Sequence, residues 1–75
     1  MVYIHEPLFD VRMHSRIIAD TEGELREFGE MLGLNQDWIK TEPRLHFEIY
    51  STKLKLALSH NEIRYLTLAE FEEYL

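Results

Sequence analysis

The chain has 75 residues, 45% of them apolar and 29% charged, and eight Lys and Arg against fourteen Asp and Glu give it a formal charge of −6. These figures fit one globular domain over 1–75; they exclude an intrinsically disordered chain and argue against a non-specific nucleic-acid binder, which gains affinity by neutralising phosphates. The absence of cysteine removes disulfides, thiolate nucleophiles and thiolate zinc sites, and no apolar run approaches a membrane-spanning length, so neither a membrane partner nor a secreted setting is expected and the cytoplasm is.

Val2-Tyr3-Ile4 is a β-type run, and Pro7 stops regular structure after it. Residues 5–14 have no clean period and read as loop. Arg16-Ile17-Ile18-Ala19 is continuous in the manner of a strand covered on both faces. Thr21 with Glu24 three residues on spells a capping box, which predicts a helix with Leu25, Phe28 and Leu32 on one stripe and Gly33 as its C′ residue. Asn35 to Ile39 predicts one helical turn that folds Trp38 back on the core. After a loop containing Pro43, His46-Phe47-Glu48-Ile49-Tyr50 alternates as a strand. Ser51 or Thr52 is expected to cap a second helix bearing Leu54, Ala57 and Leu58, with Asn61 as its left-handed stop. Ile63 to Leu66 is a further strand, and Thr67 with Glu70 opens a last helix carrying Leu68, Phe71 and Leu75.

Strand followed directly by helix occurs twice, over 17–33 and 63–75. That order predicts an α/β fold of two or three layers, with a short, mostly parallel sheet and about three helices. So small a chain buries only about 60% of its unfolded surface, and self-association into a homo-oligomer is expected.

Charge is unevenly placed. Residues 21–31 carry four Glu and one Arg and residues 65–75 three Glu, whereas 40–64 holds Lys40, Arg44, Lys53, Lys55 and Arg64 against Glu42, Glu48 and Glu62. The central stretch is the only basic one of the three, and it contains the start of the second helix. The free N–H groups and dipole of a helix N-terminus favour an anion. Ser51 and Thr52 are placed to donate, Lys53 adds a point charge, and Arg44, His46 and Tyr50 precede them; an ordinary capped helix with a solvated lysine is the plainer account of the same residues. There is no glycine-rich phosphate loop.

A second constellation joins His5, Asp20, His46 and Glu48. In a parallel sheet, residues that follow the strands gather at one end, and His with Asp or Glu can ligate a metal or move protons. No spaced ligand motif accompanies them, so no cofactor is expected. Trp38, Tyr50, Tyr65 and Tyr74 are candidates to stack a base, and the acidic faces (Glu22, Glu27, Glu30; Glu72, Glu73) read as solvated helix surface.

The opening V-Y-I, the central R-I-I-A-D-T-x-x-E-L-x-x-F-x-x-x-L-G-L and the later H-F-E-I-x-x-x-K together resemble a family of small bacterial and phage proteins catalogued as a domain of unknown function (number 4031). The likeness spans nearly the whole chain. The family's H-Y-D corresponds to His46-Phe47-Glu48 and its lysine to Lys53, while His5, Leu54 and Asn61 depart from its usual acidic, basic and glycine positions. The resemblance implies a compact cytosolic α/β domain and carries no activity with it.

Three functions follow. The first is a non-catalytic binding module for a small anionic, nucleotide-like ligand, of a sequestering, phage-type kind. The second is a protein-interaction or inhibitor module presenting the acidic helices. The third is a small metal-assisted hydrolase or nuclease built on His5, Asp20, His46 and Glu48.

Overall fold

The computed structural model describes residues 1–10 and 12–75; Val11, within the loop expected over 5–14, lies outside them. Four strands, β1 (Val2–His5), β2 (His14–Ala19), β3 (Phe47–Tyr50) and β4 (Ile63–Leu66), form one sheet in the order β3-β2-β1-β4. Helices α1 (Glu22–Met31), α2 (Ser51–Leu58) and α3 (Leu68–Glu72) follow β2, β3 and β4, and a 3₁₀ turn spans Gln36–Trp38.

The α/β class holds, in three layers. The sheet is mixed, not mostly parallel: β1 pairs with β4 in parallel, while β1 with β2 and β2 with β3 are antiparallel. Strand β2 follows β1 through a short hairpin-like connection pinned by the Leu8↔His14 bridge, and a connection that short forces antiparallel pairing.

The pleat divides each strand between two faces. Ile4, Ile17, Ala19, Phe47 and Ile49 point to the side of α1 and α2, where Leu25, Phe28, Leu32, Leu54 and Ala57 close the main core. Gly29 allows this approach, because a Cβ there would stand 2.7 Å from the Phe47 ring. On the opposite face Ile18, Leu66 and Phe71 of α3 make a second, smaller core with Tyr3 against it.

Local signals set the helix ends. Thr21 and Thr67 cap α1 and α3, but only the Thr67–Glu70 pair closes a reciprocal box: the Glu24 carboxylate accepts from the Thr21 hydroxyl and pairs with the N-terminal ammonium instead of reaching the Thr21 N–H. Gly33 (φ 77°) follows α1 in a Schellman arrangement, with Leu34 N–H donating to Gly29 O at 2.8 Å and Gly33 N–H to Glu30 O at 3.0 Å.

Helix α2 differs from expectation at both ends. Neither Ser51 nor Thr52 caps it: Tyr50 occupies the N-cap without a side-chain bond, and Ser51 is the first helical residue, at φ 37°. The Ser51 N–H is drawn to Met13 O (3.1 Å), which continues the sheet ladder and leaves the hydroxyl unable to serve as the cap. At the other end Ser59 Oγ takes Leu56 O at 2.6 Å, so the helix closes with no left-handed residue and Asn61 is not one. Trp38 differs too. The 3₁₀ turn is too short to bring its ring round; Ile39 packs on the core instead and Trp38 stays 58% exposed. Leu58 and Leu75 are exposed rather than core.

Candidate functional site

Helix α3 is a single short element and covers only the β1 and β4 side of its face of the sheet. Beyond Phe71 the face continues uncovered through His14 and Arg16 of β2 to Glu48 and Tyr50 of β3. Leu8, Asp10 and Arg12, which precede β2, stand at its rim. Leu8, Asp10, Arg12, His14, Arg16, Glu48 and Tyr50 line the resulting hollow of about 610 Å³.

Its basic residues come from one period. Arg12, His14 and Arg16 are spaced i, i+2, i+4, which in extended backbone puts all three on one side. The Arg12 guanidinium lies 4.0 Å from the Tyr50 ring centroid and that of Arg16 lies 5.4 Å from the Phe71 ring. Arg16 is half-buried, and among the described residues its guanidinium has neither hydrogen bond nor ion pair. Its cross-strand neighbour is Glu48, yet that carboxylate is turned elsewhere: it lies 3.7 Å from Lys40 Nζ and 3.8 Å from His46 Nε2, and accepts from the Tyr50 hydroxyl at 3.2 Å. His14 is oriented by Nδ1, which faces Arg12 O (2.9 Å) and Asp10 Oδ1 (3.2 Å); both are acceptors, so Nδ1 bears the proton.

Fully buried His5 lies beneath Arg16. Its Nδ1–H donates to Glu6 O at 2.7 Å and its Nε2 accepts the Arg16 backbone N–H at 3.0 Å. Burial pushes the imidazole below its ordinary value and the Arg16 charge acts in the same direction, against the Glu6 bond. Phe71 meets the ring edge-on at 4.8 Å.

The residues singled out from sequence are distributed differently. Lys53 lies on the α1 side and donates to Leu32 O at 2.6 Å, so its ammonium caps the end of α1. His46 lies on the other face, buried, with Nδ1 on Arg44 O (2.8 Å). The two do not converge. Arg44 holds Ala19 O (2.6 Å) and Tyr74 O (3.0 Å), which ties its loop to β2 and the C-terminal residues. Thr52 is exposed.

His5 and Asp20 are at opposite ends of the sheet, because β1 and β2 run antiparallel: His5 lies beside Arg16, whereas Asp20 pairs with the N-terminus at 3.4 Å and accepts from Tyr3 Oη at 3.0 Å. The gathering argued for parallel strands therefore fails, and among the described residues no group of three or more His, Cys, Asp or Glu is placed to hold a metal ion. Glu48 and Tyr50 are the two candidates that line the uncovered hollow; Arg12 and Arg16 are not among the candidates, because the strand expected from sequence starts only at Arg16, and His14, which the sequence places beside Asp10 only if that loop is helical, instead opens β2 with its Nδ1 3.2 Å from Asp10 Oδ1. The R-M-H-S-R alternation was the signal for them.

Comparison with protein-family models, curated proteins and solved structures finds no match to the chain. Among the described residues, no helix is long and apolar enough to cross a membrane.

Proposed function

We propose that the chain is a non-catalytic binding module for a small anionic ligand of nucleotide type, held on the uncovered face of the sheet by Arg12, His14 and Arg16. The observation that supports this most directly is the Arg16 guanidinium: half-buried, 5.4 Å from the Phe71 ring and, among the described residues, paired with no carboxylate, although Glu48 faces it across the ladder. A guanidinium fork binds phosphate or carboxylate through two parallel hydrogen bonds, and partial burial strengthens them. Arg12 on Tyr50 supplies a second fork, and Glu48, already an acceptor for Tyr50, is suited to sugar hydroxyls. Ser15, between His14 and Arg16 in β2, is buried and donates to His5 O at 2.7 Å, so its hydroxyl is committed to the sheet. Sequestration of such a ligand in the cytoplasm, in keeping with the resemblance to a family with phage members, belongs to the same proposal. So does self-association, for which β4, an edge strand bearing 55% exposed Tyr65, is the candidate surface.

Titration calorimetry against a panel of nucleoside mono-, di- and triphosphates tests the reading. Saturable binding is expected, weakened about tenfold or more in Arg16→Ala and less in Arg12→Ala, and unchanged in Lys53→Ala. Flat titrations across the panel would refute it.

A second reading, an interaction module, has one observation in its favour: Glu24, Glu27, Glu30 and Glu62 surround Phe28 and exposed Met31 in a depression of about 730 Å³. Loss of a partner on charge reversal at Glu27 and Glu30, with nucleotide binding absent, would select it.

A further inference from the structure

Strand β3 ends the sheet, and its outer side is only partly used. The Ser51 N–H bonds to Met13 O and Ile49 and Phe47 follow in the same register with Ser15 and Ile17, so the backbone groups of 47, 49 and 51 face β2. Those of 46, 48 and 50 face outward. His46 confirms the direction: its N–H and C=O are both taken by Lys40, at 2.9 and 2.8 Å. Among the described residues, the next outward groups, the N–H and C=O of Glu48 and the N–H of Tyr50, have no strand beyond them.

From the Lys40–His46 bridge the two segments diverge and leave a groove of about 500 Å³, with β3 along one side and Leu34, Trp38 and Ile39 along the other; Asp37, Lys40 and Lys53 also line it. We infer that this groove receives a single extended peptide strand, paired through its backbone to Glu48 and Tyr50 and placing an apolar side chain against Trp38, Ile39 and Leu34. This rests on backbone directions and not on the anion reading. The outward amide and carbonyl specify the occupant as polypeptide, since an added strand alternates donors and acceptors at that spacing. A second folded copy is disfavoured by the wall: in a symmetric pairing of two β3 edges, both Trp38-to-Lys40 segments would stand on the line of contact. Two outward residues are also far short of the roughly 1,200 Å² that a stable folded interface buries. An apolar partner side chain explains why Trp38, at 58% exposure, stands beside an open edge.

The test is retention of a pool of N-acetylated, C-amidated hexapeptides, randomised at alternate positions, on the immobilised full chain. Glu48→Pro deletes the outward N–H while the bonds of Phe47 and Ile49 to β2 remain, and proline is tolerated on an edge strand in that orientation. Glu48→Thr controls for loss of the carboxylate. The expected result is retention of peptides with alternating apolar residues, weakened roughly two- to tenfold in Glu48→Pro relative to Glu48→Thr. Should Glu48→Pro not fold, amide exchange in the unaltered chain replaces it, with Glu48 and Tyr50 slowing when a retained peptide is added. No retention above a blank column, equal retention by the two variants, or unchanged exchange with peptide bound would overturn the proposal. Slowing at both amides with chain concentration alone would overturn it in favour of a second copy.

Discussion

His5 illustrates how a single side chain connects folding to the candidate site. Its neutral form makes both of its hydrogen bonds, and protonation of Nε2 breaks the one to the Arg16 amide. Because its folded value is depressed, the unfolded chain binds the proton first as pH falls. Stability contributed by His5 is therefore complete above about pH 6.5 and is lost as pH drops below it. Glu24 and Glu70, also depressed, lose their contribution only below the ordinary carboxylate range near 4.5, so the windows separate. Urea midpoints between about pH 7.5 and 5.5 should fall for the unaltered chain and fall much less for His5→Gln, whose amide can keep both bonds. Equal slopes would place the titration elsewhere. Gly29 gives a second check at this scale. Alanine favours a helix by about 1 kcal/mol, but its Cβ would meet the Phe47 ring at 2.7 Å, and overpacking costs about 1–3 kcal/mol. Gly29→Ala should lower the midpoint; a rise would mean the ring yields freely.

At the scale of elements, what could be read in sequence was what is local. Thr21, Gly33 and the Thr67–Glu70 pair act within one turn of themselves, so their residue types settled the ends of α1 and α3. Strand direction has no such signature: nothing in Val2 to Ile4 or Arg16 to Ala19 says that the two run antiparallel, and the proposed meeting of His5 with Asp20 depended on it. The place of Lys53 is illegible in sequence for a related reason, since its partner, Leu32 O, is 21 positions away. Tertiary contact likewise overrode capping preference at Ser51, whose amide serves the sheet. Thr67→Ala should cost about 1 kcal/mol, being a capping-box loss in a helix of five residues. Ser51→Gly should cost nothing or stabilise by up to about 1 kcal/mol, because serine is held there at φ 37°. Chemical denaturation reads both, and a clear loss in Ser51→Gly would point to an unseen role for the hydroxyl.

For the whole molecule, the unequal covering of the sheet is the governing feature. Helices α1 and α2 cover one face, whereas the other is shared between α3 and a solvent-facing hollow, with Phe71 at the boundary between the small core and Arg16. Phe71→Ala should remove about 3–5 kcal/mol, much of the stability of so small a domain. The milder Phe71→Leu should keep the fold but loosen Arg16, and with it any anion held there. The most direct test of the account is a heteronuclear NMR titration of the full chain with a nucleoside diphosphate, following backbone amides and arginine side chains. Saturating shifts concentrated at Arg12, His14, Arg16 and Tyr50 are predicted; shifts centred on Ser51 to Lys53, or none at millimolar ligand, would contradict it.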